Sequence, residues 1–466
     1  MAQTRSDIPT HYDIRCFGAV GDGVTLDTAA IQRTVEACHE AGGGTVLVPP
    51  GTYLTGTVYL KSQVTLHLSA GATLQGSARR EDYNADDIFP ENPVFASENV
   101  TGAHLVIAYQ AENVAITGEG TIDGHGAAFF EPLPPDEVTT TYRSKTRNFP
   151  IRDWRPGQMV FFCRCTDVAV RDIALVNSPY WTLLLLGCRR VQVRGLRITN
   201  PPQTANGDGL DIDCCQEVTV SDCIISCGDD CITLRGHSRL LGEHAQPCQH
   251  VAVTNCLLRT PCNAIRVGVG DGVVRDCTFA NIIIHETRSG LNLICAYSPK
   301  SAHGVTIENV HFSHCLMDTI SPLNVLLGES ARPPAAIRDV SFSHCRMVGR
   351  QGCYLGGNAG HRLANLSLHE VELRLTGGEV DPQFAAKTPL PYGANGVPAG
   401  LWVRQVEGLR VSGLRVVWEN VSGPWRHAVV IEDSSDVVLA GLEAPPPPTA
   451  TAGEALHCTA VDNLTV

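Results

Sequence analysis

Three aspartates stand in two short clusters, Asn206-Gly207-Asp208 and Gly228-Asp229-Asp230. Each cluster runs into an apolar-alternating strand, marked by Leu210 and Ile212 after the first and by Ile232 and Leu234 after the second. Carboxylates brought together do not titrate alike: one keeps its proton near neutral pH while its neighbours stay charged. Cleavage of a glycosidic bond uses that division, an acid for the leaving oxygen and a base for a water. Asp-rich turns also bind Ca²⁺, as a calcium-dependent polysaccharide lyase would use them. A carbohydrate-binding solenoid with three solvated turn acids would show the same spacing, so spacing alone leaves all three readings open.

The strands that must hold these acids can be laid over one another. Leu183, Leu210, Ile232, Ile265 and Leu291 form one inward column, and Leu185, Ile212, Leu234, Val267 and Leu293 form the next. Alternation with period two is what β-strands require. The outward columns then carry Trp181, Asp208, Asp230, Asn263 and Ser289, and beside them Leu184, Asp211, Thr233, Arg266 and Asn292. With rungs about 4.8 Å apart, Asp208 and Asp230 are neighbours, Asp229 borders both, and Arg266 lies two rungs from Asp208. Trp181 offers a flat wall for a sugar ring, or is an ordinary packed aromatic.

These strands belong to a longer series. A phrase x-V-x-V-x-x-h-x-h, with h apolar, recurs at uneven intervals from NVAITGEGTI (113–122) through EVTVSDCIIS (217–226) and DGVVRDCTFA (271–280) to DVVLAGLEAP (436–445). Each phrase is too short to bury its own apolar face, and stacking copies in parallel buries it. The spacing is too irregular for ankyrin, leucine-rich or propeller repeats, and no helical pattern intervenes. The expectation is an all-β chain, a right-handed parallel β-helix with a short N-terminal capping helix. It is read as one domain over 1–466: cap and first coils over 13–75, coils over 75–445, and a tail over 446–466. In the cap, Asp27 or Thr28 starts a helix with Ile31, Val35 and Cys38 at helical spacing, and Gly42-Gly43-Gly44 ends it. Cys223, Cys256, Cys277 and Cys345 take the same place in their phrases, with Val310 between the last two, and are expected as an internal ladder. Loops are expected at 129–148 and at Asp381–Ala399, and a polyproline-like stretch at Glu443–Thr449.

The net charge of −13 gives no support to nucleic acid or an anionic membrane as partner. No apolar run is long enough for a membrane span. No CxxC pair occurs among the 19 Cys, so zinc fits poorly. The start, MAQTRSDIPTHYDIR, lacks an apolar signal core, which sets the expectation of a cytoplasmic protein with free, buried thiols. The expected partner is an oligosaccharide or polysaccharide, with no metal or other cofactor.

The residues together resemble glycoside hydrolase family 28, the polygalacturonase family of pectin-degrading enzymes. The resemblance rests on Ser178-Pro179-Tyr180-Trp181, on Asn206 to Ile212 at the family's NTD motif, and on Gly228-Asp229-Asp230-Cys231-Ile232 at its GDDC motif. FGAVGDGVTLDTAAIQ, GTYLTGTVYLKS and GEGTIDGHG match as well, so about 13–320 is covered. The resemblance implies inverting hydrolysis, with Asp229 as general acid, Asp208 and Asp230 activating water, and Asn206 orienting them. Two motifs depart. The family's GHG histidine falls on Asn263, and its RIK motif on Asn292-Leu293-Ile294. Arg266 could replace the missing cation, because a guanidinium binds a carboxylate with two parallel bonds; it could also be a structural partner for Asp211. Arg235, His237, His285 and Arg288 are weaker site candidates, each read first as a surface-loop residue. Asn206, Trp181, Asn263, Arg266 and Asn292 are thus the expected substrate-binding set. The substrate implied is a pectin-derived oligosaccharide, galacturonide or rhamnogalacturonan-type, read by a divergent member.

Overall fold

In a computed structural model the described residues are 10–84, 90–143, 145, 147–296, 303–328, 330–358, 360–377, 399–423, 425–450 and 452–466. The backbone turns its corners on residues in the left-handed region. In one corner of successive coils stand Asn113, Asp167, Arg190 and Glu217, with φ of 52°, 57°, 54° and 58°. In the next stand Asp172, Gly195 and Asp222, with φ of 63°, 65° and 60°. Asn, Asp and Gly tolerate this region best, which explains the polar residue that punctuates each phrase. Between corners the chain runs as short strands, each paired in parallel with its counterpart one coil on, and the result is an all-β right-handed parallel β-helix.

The chain divides into two compact units, 1–140 with 145–230 and 240–246, and 141–144 with 231–239 and 247–466. The first unit opens with the helix Thr28–Glu40, which buries Ala30, Ile31, Thr34, Val35 and Cys38. Asp27 occupies the N-cap, yet its carboxylate accepts from Val20 N at 2.7 Å and Gly21 N at 3.1 Å rather than from the helix. Thr28 Oγ1 accepts from Gly56 N at 2.8 Å. The two candidate caps thus fasten the helix to neighbouring segments. Further on, three strands make each coil: Val160–Cys163, Thr166–Arg171 and Ala174–Val176, then Leu183–Leu186, Arg189–Arg194 and Arg197–Thr199, then Leu210–Asp213, Gln216–Ser221 and Ile224–Ser226. Val168, Val191 and Val218 stack in one buried column, and Leu175, Ile198 and Ile225 in another. Each such side chain contributes about 1.5–3 kcal/mol when fully buried.

In the second unit several strands run across a corner. Ile283–Ile294 pairs with Leu257–Arg259 at its start and with Asn263–Gly270 further along. The inward columns have the expected register within each unit: Leu183 over Leu210 and Leu185 over Ile212 in the first, and Ile232 over Ile265 over Leu291 in the second.

The cysteine ladder differs from expectation. Cys277 pairs with Val251 and Val310, not with Cys256. The Arg275-Asp276-Cys277 triplet lies within the strand Val273–Ala280, with Asp276 at φ 54° in the corner where His250 and Asn309 stand. Ile282 then takes the place next to Cys256, and Cys315 lies beside Cys345. The stacked rings of Phe279, Phe312 and Phe342, with centroids 4.7 and 5.3 Å apart, have the same register. In the first unit Cys165, Cys188 and Cys215 form a further column, and Cys188 N donates to Cys215 Sγ at 3.3 Å. A hydrogen bond from Cys188 and burial push the Cys165 thiol well up, and burial does the same to Cys188. Every cysteine is a free thiol.

Residues 446–466 are not a tail. The strand Glu454–Thr465 pairs in parallel with His427–Ala440, and Trp418 Nε1 anchors the proline run by donating to Pro445 O at 2.7 Å. Of the expected loop at Asp381–Ala399, all but Ala399 lies outside the described residues. Phe312, sandwiched between Phe279 and Phe342, should be the costliest ring to truncate. Phe312→Ala is expected to lose about 3–5 kcal/mol, read as a fall in the urea midpoint.

Candidate active site

Two backbone bonds lock the acidic turns together in the first unit. Gly228 N donates to Gly207 O at 3.1 Å, and Gly209 N donates to Asp230 O at 2.9 Å. One coil earlier, Thr182 N donates to Asp208 O at 2.9 Å. Asp208 and Asp230 therefore sit one rung apart, about 4.8 Å in a parallel ladder, and are only 3% and 1% exposed. Asp229 is half-buried, and its carboxylate lies within 4.8 Å of that of Asp230.

Glycine is required in both turns because the chain passes too close for a side chain. A Cβ on Gly207 would stand 2.9 Å from Thr204 Cβ, and one on Gly228 would stand 2.4 Å from Thr204 O. The second turn is held by two further bonds. Lys145, in the polar insertion, donates from Nζ to Gly228 O at 2.7 Å, and Cys227 Sγ donates to Asp229 O at 3.2 Å.

Asn206 is held from behind by a residue that spacing did not single out. Arg155 is completely buried. Its Nη1 donates to Pro179 O at 2.9 Å and to Ala205 O at 2.6 Å. Its Nη2 donates to Glu98 O at 2.7 Å and to Asn206 Oδ1 at 3.1 Å, and Nε donates to Asn99 O at 3.2 Å. All five guanidinium hydrogens are thus used, and the group lies 4.8 Å from the centre of the Tyr180 ring. Burial pulls its pKa down to about 10, against the opposing pull of Tyr180, Glu98 and Asp208. It stays charged at neutral pH, a fixed cation behind Asp208. The one signal in the sequence is an arginine before proline, Arg155-Pro156, ahead of the strand Val160–Cys163.

Trp181 is the packed aromatic of the two readings. It is 4% exposed, stacked on Tyr180 at 5.3 Å and tilted against Phe95 at 5.6 Å. With Leu184 and Leu186 it joins an apolar cluster on Ile107, Phe161 and Leu241. A ring so enclosed by neighbouring side chains offers no face to a sugar, so Trp181 is withdrawn from the substrate-binding set.

In the second unit, Thr233, Arg266, Asn292 and Asn324 lie in register across four successive strands. Asn292 Nδ2 donates to Asn263 Oδ1 at 2.7 Å. Asn263, Arg266 and Asn292 are 5%, 6% and 7% exposed. Arg235 and Arg288 are buried within strands, not placed on surface loops, while His237 and His285 are half-buried.

Two substitutions probe the acidic turns. Gly228→Ala is expected to displace Asp229 and Asp230 and cut kcat about 10²-fold, with the melting temperature measured alongside. Arg155→Met leaves four backbone carbonyls without their donor, at about 1–3 kcal/mol for each that finds no substitute. Its urea midpoint should fall accordingly.

A family model described as glycosyl hydrolases family 28 matches residues 38–331. The chain is similar to a probable polygalacturonase of Vitis vinifera, 27% identical over 289 residues, covering 59% of this chain and 55% of that protein. It is also similar to an exo-poly-alpha-D-galacturonosidase of Dickeya chrysanthemi, 26% identical over 345 residues, covering 66% of this chain and 56% of that one. The matches thus span little more than half the length of these two relatives. An exopolygalacturonase structure from Thermotoga maritima superimposes with a TM-score of 0.65 at 21% identity, covering 89% of this chain and 92% of that one. At that identity the likeness concerns the fold. The family match takes in both acidic turns and most of the coils around them, and the chain belongs to glycosyl hydrolases family 28.

Proposed function

We propose that this chain hydrolyses O-glycosidic bonds in pectin-derived oligosaccharides with inversion at the anomeric carbon. The observation that carries the reading is the pair of bonds from Gly228 to Gly207 and from Gly209 to Asp230, which stacks the two acidic turns on adjacent rungs. Asp229, the more accessible acid, gives its proton to the leaving glycosidic oxygen. Asp208 and Asp230, both buried, take the proton of a water as its oxygen attacks the anomeric carbon and the glycosidic bond breaks. Asn206, held by Arg155, orients the water-activating side. In the second unit we assign sugar binding to Asn263, Arg266 and Asn292.

The relatives named above act, by name, on galacturonides, and this supports a galacturonide substrate here. The closeness of the Asp229 and Asp230 carboxylates also suits a Ca²⁺-dependent lyase, and the two chemistries separate by product. Asp229→Asn is expected to lower kcat on pectic oligosaccharides by about 10²–10⁴-fold with an unchanged urea midpoint. NMR of the first-formed sugar should show the inverted anomer. Retention, or chelator-sensitive unsaturated products absorbing in the ultraviolet, would sink the assignment.

A further inference from the structure

Arg288 lies in the strand Ile283–Ile294, and only 8% of it is exposed. Among the described residues its side chain makes one hydrogen bond, from Nη2 to Cys262 Sγ at 3.3 Å. Among the described residues its Nε has no partner, and it forms no ion pair with a carboxylate there. A guanidinium carries five donors, and a buried charge without a counter-ion is among the costliest arrangements a fold can retain. Arg155, by contrast, spends all five of its donors.

The neighbourhood has the same unfilled character. Ser289 Oγ and Asn292 Oδ1, on the same strand, also lack hydrogen-bond partners, and both residues are more than nine-tenths buried. These groups are physically joined. Asn263 Nδ2 donates to the same Cys262 Sγ at 3.4 Å, and Asn263 Oδ1 accepts from Asn292 at 2.7 Å. Arg288, Cys262, Asn263 and Asn292 therefore form one connected polar cluster in the second unit. Cys262 is only half-buried, so the cluster reaches solvent.

We propose that this cluster is a binding site for a uronic-acid residue, with Arg288 taking the sugar carboxylate through two parallel bonds. Asn292, Asn263 and Ser289 take the ring hydroxyls. The proposal rests on the pectic substrate proposed above and deepens it by naming the group that reads the acid. The position homologous in the family to the RIK arginine holds Asn292, which is neutral, and Arg288 four residues earlier supplies the charge. A carboxylate ligand matches both the fork of the guanidinium and its missing counter-ion. A neutral sugar would leave that charge unpaired.

The test is a calorimetric titration of the full chain in the Asp229→Asn background, so that ligand survives. Trigalacturonate is compared with its carboxyl-reduced galactose counterpart and with sodium acetate. Arg288→Met should weaken trigalacturonate binding by about 10–100-fold, the loss of hydrogen bonds to a charged group. Binding of the carboxyl-reduced sugar should be unchanged, and Arg288→Lys should retain part of the affinity. The melting temperature of ligand-free Arg288→Met should stay level or rise, because an unpaired buried charge is removed. Alkylation of Cys262, followed by peptide mass spectrometry, should be slowed by trigalacturonate. Equal loss for acidic and reduced sugars, unchanged binding, or acetate binding as tightly as trigalacturonate would overturn the proposal. A chain that binds trigalacturonate through Arg288 but does not hydrolyse it would leave this site standing and remove the catalytic reading instead.

Discussion

The hydrogen bonds between successive coils decide where the side chains of the described strands stand. They run along the stack, so each strand is placed by the one before it and places the one after. Register is consequently the quantity that matters most. A slip of one residue would turn an inward Leu210 outward and aim Asp211 into the core in its place. The acidic turns depend on this directly, because Asp208 and Asp230 are brought together by backbone atoms at Gly209 and Gly228, and not by any attraction between their side chains. The two carboxylates are held at rung distance by the ladder on either side.

Two buried cations are held in different ways. Arg155 is fully committed, its donors shared among the segments around 98–99, 179 and 205–206. It behaves as a rivet that fixes Asn206 and lends positive potential to Asp208. Arg288 is nearly uncommitted. The contrast separates a structural charge from a charge kept available, since the same chemical group is expensive when buried and is tolerated only when something meets it.

The regular parts of this arrangement were legible in the sequence. Alternation marked the columns Leu183–Leu210 and Ile265–Leu291, because a period of two admits only one register once the Gly-Asp turns are aligned. The cysteine ladder was misread at Cys277 because each coil has two similar corners. A polar residue followed by an apolar one occurs at both, so Asp276-Cys277 matched the wrong corner. Trp181 was left between two readings because alternation says which way a residue points and not what covers it; Phe95, distant in sequence, does that. Arg155 and Arg288 gave weaker signals still. Their meaning lies in how many of their donors are satisfied, and partners for Arg155 come from Glu98 to Asn206. No local pattern records such a count.

The thiol columns carry a consequence of a different kind. Packed in the interior, Cys165, Cys188 and their neighbours stay protonated and inert, because burial opposes the thiolate. Loss of the fold removes that protection from all 16 buried cysteines at once. Each thiol then has an ordinary pKa of about 8.5, and the unfolded chain becomes a dense collection of nucleophiles able to cross-link to itself and to other copies. Whether this protein refolds after heating is thus a matter of the surrounding oxidant. In air its durability is a rate of opening rather than an equilibrium, and a reductant makes the transition reversible.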